Sequence, residues 1–98
     1  MTREELPEGA IEIGPNEWYN KVYDKNDVWM GINEWHVNQK TDNLCGGWVP
    51  FDVESEYIPR HAARWAVASY EPLTLSPSLL CMNCQHHGFI RDGRWVSC

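Results

Sequence analysis

The sequence has no long apolar segment and little positive charge. No stretch approaches the roughly 18 apolar residues of a membrane span, and residues 1–7 lack the apolar run of a secretory signal peptide. We therefore expect a soluble chain without a membrane partner. Its 8 Lys and Arg are outnumbered by 14 Asp and Glu, which gives a net charge of −6. Because binding to a phosphate backbone requires many cations, nucleic acid is not an expected partner.

Several catalytic motifs are also absent. The chain has no glycine-rich phosphate loop and no G-x-S-x-G turn to present a nucleophilic serine. None of its four His residues is followed two positions later by Glu, as the zinc deaminase pattern requires. The second Cys of its C-x2-C pair precedes Gln85 rather than His, which excludes a c-type haem attachment. Local motifs therefore reveal no reaction.

The length of the chain limits its stability. With 98 residues it forms at most one domain, and a domain of this size has a marginal hydrophobic core. A structural metal would contribute on the order of 10 kcal/mol to folding, more than the usual net stability of a small domain. We expect residues 1–9, which are charged and contain Pro7 and Gly9, to form a loose arm. Residues 10–98 would form the single domain.

Two pairs of apolar and aromatic runs predict hairpins. The runs at residues 18–23 and 28–37 flank a polar turn at residues 24–27. Near the end of the chain, Asp92-Gly93 separates two further runs, and Asp-Gly is a preferred pair for a tight two-residue hairpin turn. These patterns predict a mainly β fold, with room for one short helix in a small α+β variant.

Two other segments bear on the fold class. Residues 10–13 alternate between apolar and polar side chains and are bounded by glycines, which predicts a short strand. Residues 59–71 contain several alanines, which favour a helix, but the same segment alternates in the manner of a strand. The residues alone leave this choice open.

The most informative segment has two thiols at C-x2-C spacing followed by two imidazoles. Cys81 and Cys84 can both reach one metal ion from a tight turn, and His86 and His87 compete for a third position. We favour His87, because two residues separate it from Cys84, which repeats the C-x2-C spacing, and because it precedes a glycine that relieves crowding. Cys45, which precedes two glycines, fits a metal-binding turn, although a small buried thiol is the simpler alternative.

The fourth ligand has three candidates. We rank Cys45 first, Cys98 second because the chain end frays, and His36 third because a lone His within a strand is usually only packed. In a reducing cytosol four cysteines favour a metal over disulfides, with a pair of disulfides as the alternative. Four protein ligands leave no open position for water, so such a site would be structural rather than catalytic.

The C-terminal segment resembles a family. The run from Leu73 to Trp95, with the pattern SPSLLCxxCxxHGFIRDGRW, is similar to small uncharacterised proteins encoded by tailed bacteriophages of actinobacteria. The resemblance implies one structural Zn²⁺ per chain, held by Cys45, Cys81, Cys84 and His87, with residues 73–98 as the zinc-binding segment. It also implies an extended segment before the SPS run, which favours a strand over a helix at residues 64–70.

A closed metal site, an acidic first half and many aromatic side chains together suggest an interaction module. We expect a non-enzymatic, zinc-stabilised bacteriophage accessory protein that binds a host or virion protein, in the host cytoplasm or in the virion. One alternative is a virion structural or decoration protein. Another is a metal-dependent hydrolase or nuclease, which would require a vacant metal position.

Overall fold

A computed structural model describes residues 3–98, apart from the side chain of Arg3. After a 3-10 helix at Arg3–Glu5, the chain forms nine strands: β1 Ile11–Gly14, β2 Glu17–Tyr23, β3 Trp29–Val37, β4 Leu44–Pro50, β5 Ala66–Tyr70, β6 Leu73–Ser76, β7 Leu79–Leu80, β8 His87–Arg91 and β9 Arg94–Ser97. The described residues include no α-helix, so the mainly β class is confirmed. Residues 1–2 of the expected arm lie outside the described range. Over residues 3–98 there is also no helix long and apolar enough to cross a membrane.

The strands form three antiparallel sheets. The first has the order β1-β2-β3-β4, the second pairs β5 with β6, and the third has the order β7-β8-β9. Every strand pairs with a neighbour in the chain, which places β4 at one edge of the first sheet and β7 at one edge of the third. Just beyond β4, Phe51 forms an isolated parallel β-bridge with Trp65.

Both expected hairpins are present. In the turn between β2 and β3, Oδ1 of Asp24 accepts hydrogen bonds from the N–H groups of Asn26 and Val28, at 2.8 and 3.0 Å. A register shift lies beside Gly31, where the sequence suggested a bulge. Between β8 and β9, Asp92 and Gly93 both have positive φ, 51° and 72°. Two successive positive φ values define the turn type whose twist matches that of a hairpin.

The ambiguous segment contains a strand. Val67 pairs with Leu75 and Tyr70 pairs with Leu73, so β5 and β6 form a third hairpin. This agrees with the extended conformation that the family resemblance implied for residues 64–70. The alternation of apolar and polar side chains therefore outweighs the helix propensity of the alanines, because the apolar side chains can pack on one face of a hairpin.

The core lies between the sheets and is made mainly of aliphatic side chains. Its fully buried members come from different strands and loops: Ile32, Phe51, Leu73, Leu75 and Ile90. Trp29, Trp65 and Trp95 pack around them and are only partly buried. Since strands of all three sheets contribute to one core, the sheets are parts of a single folded unit.

Neighbouring glycines in β4 allow a matched test of this packing. A Cβ at Gly46 would lie 2.5 Å from the ring of Trp35, whereas a Cβ at Gly47 would meet nothing within 4 Å. We expect Gly46→Ala to lower the free energy of unfolding by about 1–3 kcal/mol through overpacking. Gly47→Ala should change it by about 0.5 kcal/mol or less. Urea unfolding of both variants is the measurement, and equal losses would contradict the packing described here.

Candidate functional site

Three cysteines and one histidine form a cluster between the first and third sheets. One ligand atom each from His36, Cys45, Cys81 and Cys84 lies within 4.8 Å of all the others. The His36 Nε2 atom is 3.1 Å from the Sγ atom of Cys84, which is 4.0 Å from the Sγ atom of Cys45. Three sulfur atoms and one imidazole nitrogen are a common ligand set for a tetrahedral metal ion.

Two hairpins supply the four side chains. His36 and Cys45 are directly opposite each other in the register of β3 and β4, so their side chains project from the same face. Cys81 and Cys84 lie in the loop between β7 and β8. There the N–H of Cys81 donates to the carbonyl of His86, and the N–H of Gln85 donates to the carbonyl of Cys81, both at 2.8 Å. These bonds fold the loop so that both thiols point inward.

The surroundings of the thiols separate their acidities. Burial would raise the pKa of Cys81, but backbone N–H groups of Cys84 and Asn83, with the Cys84 thiol and His36, lower it to about 7. Burial, together with the neighbouring Cys81 and Cys45, raises the pKa of Cys84 to about 11, although a backbone hydrogen bond from His86 acts in the opposite direction. One thiolate is thus available near neutral pH, and a cation is needed to hold several together.

The second nitrogen of His36 is held by a buried carboxylate. His36 Nδ1 lies 2.6 Å from Oε2 of Glu34. Burial opposes protonation of His36, but the hydrogen bond and charge of Glu34, together with Cys81, raise its pKa. A carboxylate at Nδ1 fixes the tautomer and directs Nε2 toward the thiols, as is usual for metal-binding His residues.

Glu34 is the first of two buried carboxyl groups. Glu17 is 1% exposed, and burial, a hydrogen bond with Glu34 and the charge of Glu34 raise its pKa to about 11. Its Oε1 atom has no hydrogen-bond partner among the described residues. Its Oε2 atom is 2.7 Å from Nε2 of His86. Burial and the nearby His36 lower the pKa of His86, which also stacks on Trp95.

His87 lies outside the cluster. The resemblance implied it as a metal ligand, but its Nε2 atom is 2.9 Å from the hydroxyl oxygen of Ser78, and its side chain is exposed. Cys98 is exposed and also lies outside, with its N–H donating to the carbonyl of His87. The structure therefore brings together three predicted ligands, Cys45, Cys81 and Cys84, and places His36 where a fourth ligand was needed.

Strand register explains the contact between Ser78 and His87. Leu80 pairs with His87 in the β7–β8 hairpin, so these two side chains lie on one face. Ser78 is two residues before Leu80 and therefore lies on the same face, diagonally across from His87. The carbonyl of Ser78 also accepts a 3.3 Å hydrogen bond from the indole N–H of Trp65. Ser78 and His87 are nine positions apart in the chain, and the hairpin makes them neighbours.

Sequence reasoning undervalued His36 and missed Ser78. The signal for His36 was available, because a hairpin drawn symmetrically through residues 38–43 places it opposite Cys45. Cys45-Gly46-Gly47 is part of strand β4 rather than the metal-binding turn that the glycines suggested. For Ser78 the only signal was the spacing of a Ser and a His on either side of a hairpin loop, which is not a recognised motif.

Comparisons with known proteins identify a family. The model of the family described as bacterial ubiquitination-like system serine protease (BubE) matches residues 21–98, which is most of the chain. No curated protein matches, and no solved structure matches. The expected non-enzymatic bacteriophage accessory protein, its virion-structural alternative and its metal-hydrolase alternative are therefore wrong, because the family is one of serine proteases. The chain belongs to the BubE family of bacterial ubiquitination-like system serine proteases.

Proposed function

We propose that the protein is a serine protease that cleaves protein substrates in a bacterial ubiquitination-like system, with Ser78 as nucleophile and His87 as general base. The observation that carries this proposal is the 2.9 Å contact between Ser78 Oγ and His87 Nε2 in a chain of a serine protease family. Of the five serines, only Ser78 has a hydroxyl within hydrogen-bond distance of an imidazole in residues 3–98. That contact is the arrangement that activates a serine hydroxyl.

Cleavage would follow two steps of acyl transfer. In the first, Ser78 Oγ attacks the carbonyl carbon of the substrate peptide bond while His87 Nε2 accepts the hydroxyl proton. The tetrahedral intermediate collapses, the C–N bond breaks, and His87 donates that proton to the departing amine. An ester between the substrate acyl group and Ser78 remains. Half-burial of Ser78 and exposure of His87 leave the pair accessible to a protein segment.

The second step regenerates the enzyme. Water attacks the ester carbonyl while His87 Nε2 accepts one of its protons, and the ester C–O bond breaks as His87 returns the proton to Ser78 Oγ. The product is a free carboxylate, and no cofactor or redox partner takes part. His87 therefore acts alternately as base and as acid, which requires that its Nε2 atom stay directed at Ser78.

A single structural Zn²⁺ bound by His36, Cys45, Cys81 and Cys84 forms the second part of the proposal. The donor set supports zinc, because thiolate sulfur and neutral imidazole are its usual ligands in closed four-coordinate sites. When bound, the ion would supply a crosslink between strands and loop rather than Lewis acidity at the substrate. Because Nδ1 of His36 forms the hydrogen bond with Glu34, its Nε2 atom remains free to bind the ion.

Replacing the proposed nucleophile or base should abolish proteolysis. We expect Ser78→Ala and His87→Ala each to reduce hydrolysis of fluorescein-labelled casein by about a thousandfold or more. Ser76→Ala is the matched control, since Ser76 is exposed and lies two residues before Ser78 in the segment that leads into β7. It should retain wild-type activity. Wild-type protein treated with a small fluorophosphonate should carry the adduct on Ser78, as located by mass spectrometry of peptides.

Two outcomes would contradict this assignment. One is an adduct on another serine with none on Ser78. The other is a Ser78→Ala variant that keeps the activity of the wild type while binding the same amount of zinc. Loss of activity in Ser76→Ala as large as that in Ser78→Ala would show that the whole segment is merely structural.

A pair of histidine variants tests the metal ligands. We expect one zinc per chain in the wild type and in His87→Ala, but loss of tight zinc binding in His36→Ala, because only His36 lies with the three thiols. Chelation should lower the melting temperature of the wild type by about 10 °C or more (about 1–2.5 kcal/mol or more for a domain of this size). Metal content by mass spectrometry after dialysis is the measurement. Retention of zinc in His36→Ala and its loss in His87→Ala would show that His87 is the ligand instead.

A further inference from the structure

Two open sheet edges line one cavity, whose lining includes Leu79, the residue after Ser78. Within residues 3–98, β4 pairs only with β3 and β7 pairs only with β8, so each has an outer edge without a strand neighbour. Gly46 and Gly47 on β4, and Leu79 and Leu80 on β7, line the same cavity of about 280 Å³. An unpaired strand edge presents main-chain N–H and C=O groups that can bind an extended chain.

The glycines leave one wall of this cavity open to a backbone. Nothing lies within 4 Å of the position that a Cβ of Gly47 would occupy. A glycine inside a strand is typical of a place where another main chain approaches closely. The far end of β4 is closed, because Trp65 forms main-chain hydrogen bonds with Pro50 and Asp52. An entering chain would therefore lie along residues 46–49.

The cavity is lined by apolar side chains at β7 and in the loop after it. Leu80 is 48% exposed and Met82 is 79% exposed, although apolar side chains of this size are usually buried. Leu80 lies on the face of β7 that carries Ser78 and directly opposite His87. The described residues that line the cavity include no Lys or Arg. The ionisable side chains of the cavity lie at its end near Glu34 and the metal ligands.

We propose that the substrate binds in this cavity as an extended, unfolded segment between the outer edges of β4 and β7. A large apolar side chain of the segment packs on Leu80 and Met82, close to the peptide bond that Ser78 attacks. This inference rests on the proposed function and specifies its substrate class: a flexible tail or linker with an apolar residue beside the cleavage site.

The test uses two variants that obstruct the cavity and one that does not. Leu80→Asp places a charge at the apolar contact, and Gly47→Val adds bulk where the structure leaves room. Val96→Asp is the matched control, because Val96 is an exposed apolar residue on β9, at the opposite edge of the same sheet. Circular dichroism and zinc content establish that all three are folded.

Cleavage and labelling are measured separately. The probe for cleavage is an equimolar library of unstructured 14-residue peptides, with cut sites identified by mass spectrometry. Sites with Leu, Met, Ile or Phe within two residues of the cut should be enriched. Leu80→Asp and Gly47→Val should lower kcat/KM by about tenfold or more, as expected for loss of one apolar contact, and Val96→Asp by less than about twofold. Labelling of Ser78 by a small fluorophosphonate should be unchanged in Gly47→Val and Val96→Asp, since the reagent does not fill the cavity.

Failure of the two proposals gives different results. If Ser78 is labelled but both cavity variants cut the library as the wild type does, the substrate cavity is wrong and the Ser–His pair stands. If Ser78 is not labelled, binding of the peptide library to the Ser78→Ala variant is measured. Capture of apolar peptides by Ser78→Ala that is lost when Leu80→Asp is added supports the substrate cavity without the Ser–His pair. Self-association of Ser78→Ala that Leu80→Asp abolishes would overturn the proposal, because the occupant would be a second copy of the chain.

Discussion

The arrangement of the third sheet depends on one constraint, the gathering of the loop between β7 and β8 onto the β3–β4 hairpin. Cys81 and Cys84 come from that loop, and His36 and Cys45 come from the hairpin. β7 is only two residues long and has a partner on one side alone. So short a hairpin is marginal by itself. A metal crosslink at its loop would therefore supply much of what the strand pairing lacks.

The cluster is supported from behind by a chain of buried polar groups. Glu17 and His36 are opposite each other in the β2–β3 register, and the chain runs from His36 through Glu34 and Glu17 to His86. Buried carboxyl groups are costly unless every oxygen is bonded. Here Oε1 of Glu17 has no partner among residues 3–98, and the 2.7 Å contact of its Oε2 atom with Nε2 holds the position of His86. Since His87 is the next residue, the same chain limits how far the imidazole that contacts Ser78 can move.

The sequence predicts the local features of this protein better than its long-range pairings. The Asp92-Gly93 turn and the polar turn after Tyr23 are determined by nearby residues, and both predicted hairpins are present. Cys81 and Cys84 were recognisable because their spacing is itself the geometry of a metal-binding loop. His36 was ranked only third for the fourth position. A symmetric hairpin places it opposite Cys45, but its position beside Cys81 and Cys84 depends on the packing of two sheets, which has no local signature.

The same reasoning explains why the enzymatic class was missed. A nucleophile elbow is recognisable by its G-x-S-x-G motif, because the strained turn that exposes the serine requires glycines. Ser78, in contrast, contacts His87 across a hairpin that requires no unusual residues. The C-x2-C loop lies between them in the chain, and it suggested that the nearby imidazole was a ligand. The structure separates the two roles by alternation along the chain: His86 turns toward Glu17, and His87 turns toward Ser78.

Metal site and Ser–His pair are thus connected by geometry rather than by chemistry. The loop that carries two ligands joins the strand after Ser78 to the strand that begins at His87. A nucleophile and its base must remain within about 3 Å and in line, because small misplacements reduce acyl transfer strongly. If the loop were not held, Ser78 and His87 would separate more readily than two residues that face each other within a long sheet. A metal ion at this cluster would fix the distance between the two strands that carry Ser78 and His87 without touching the substrate, and under the proposed mechanism it would thereby determine whether the serine can react.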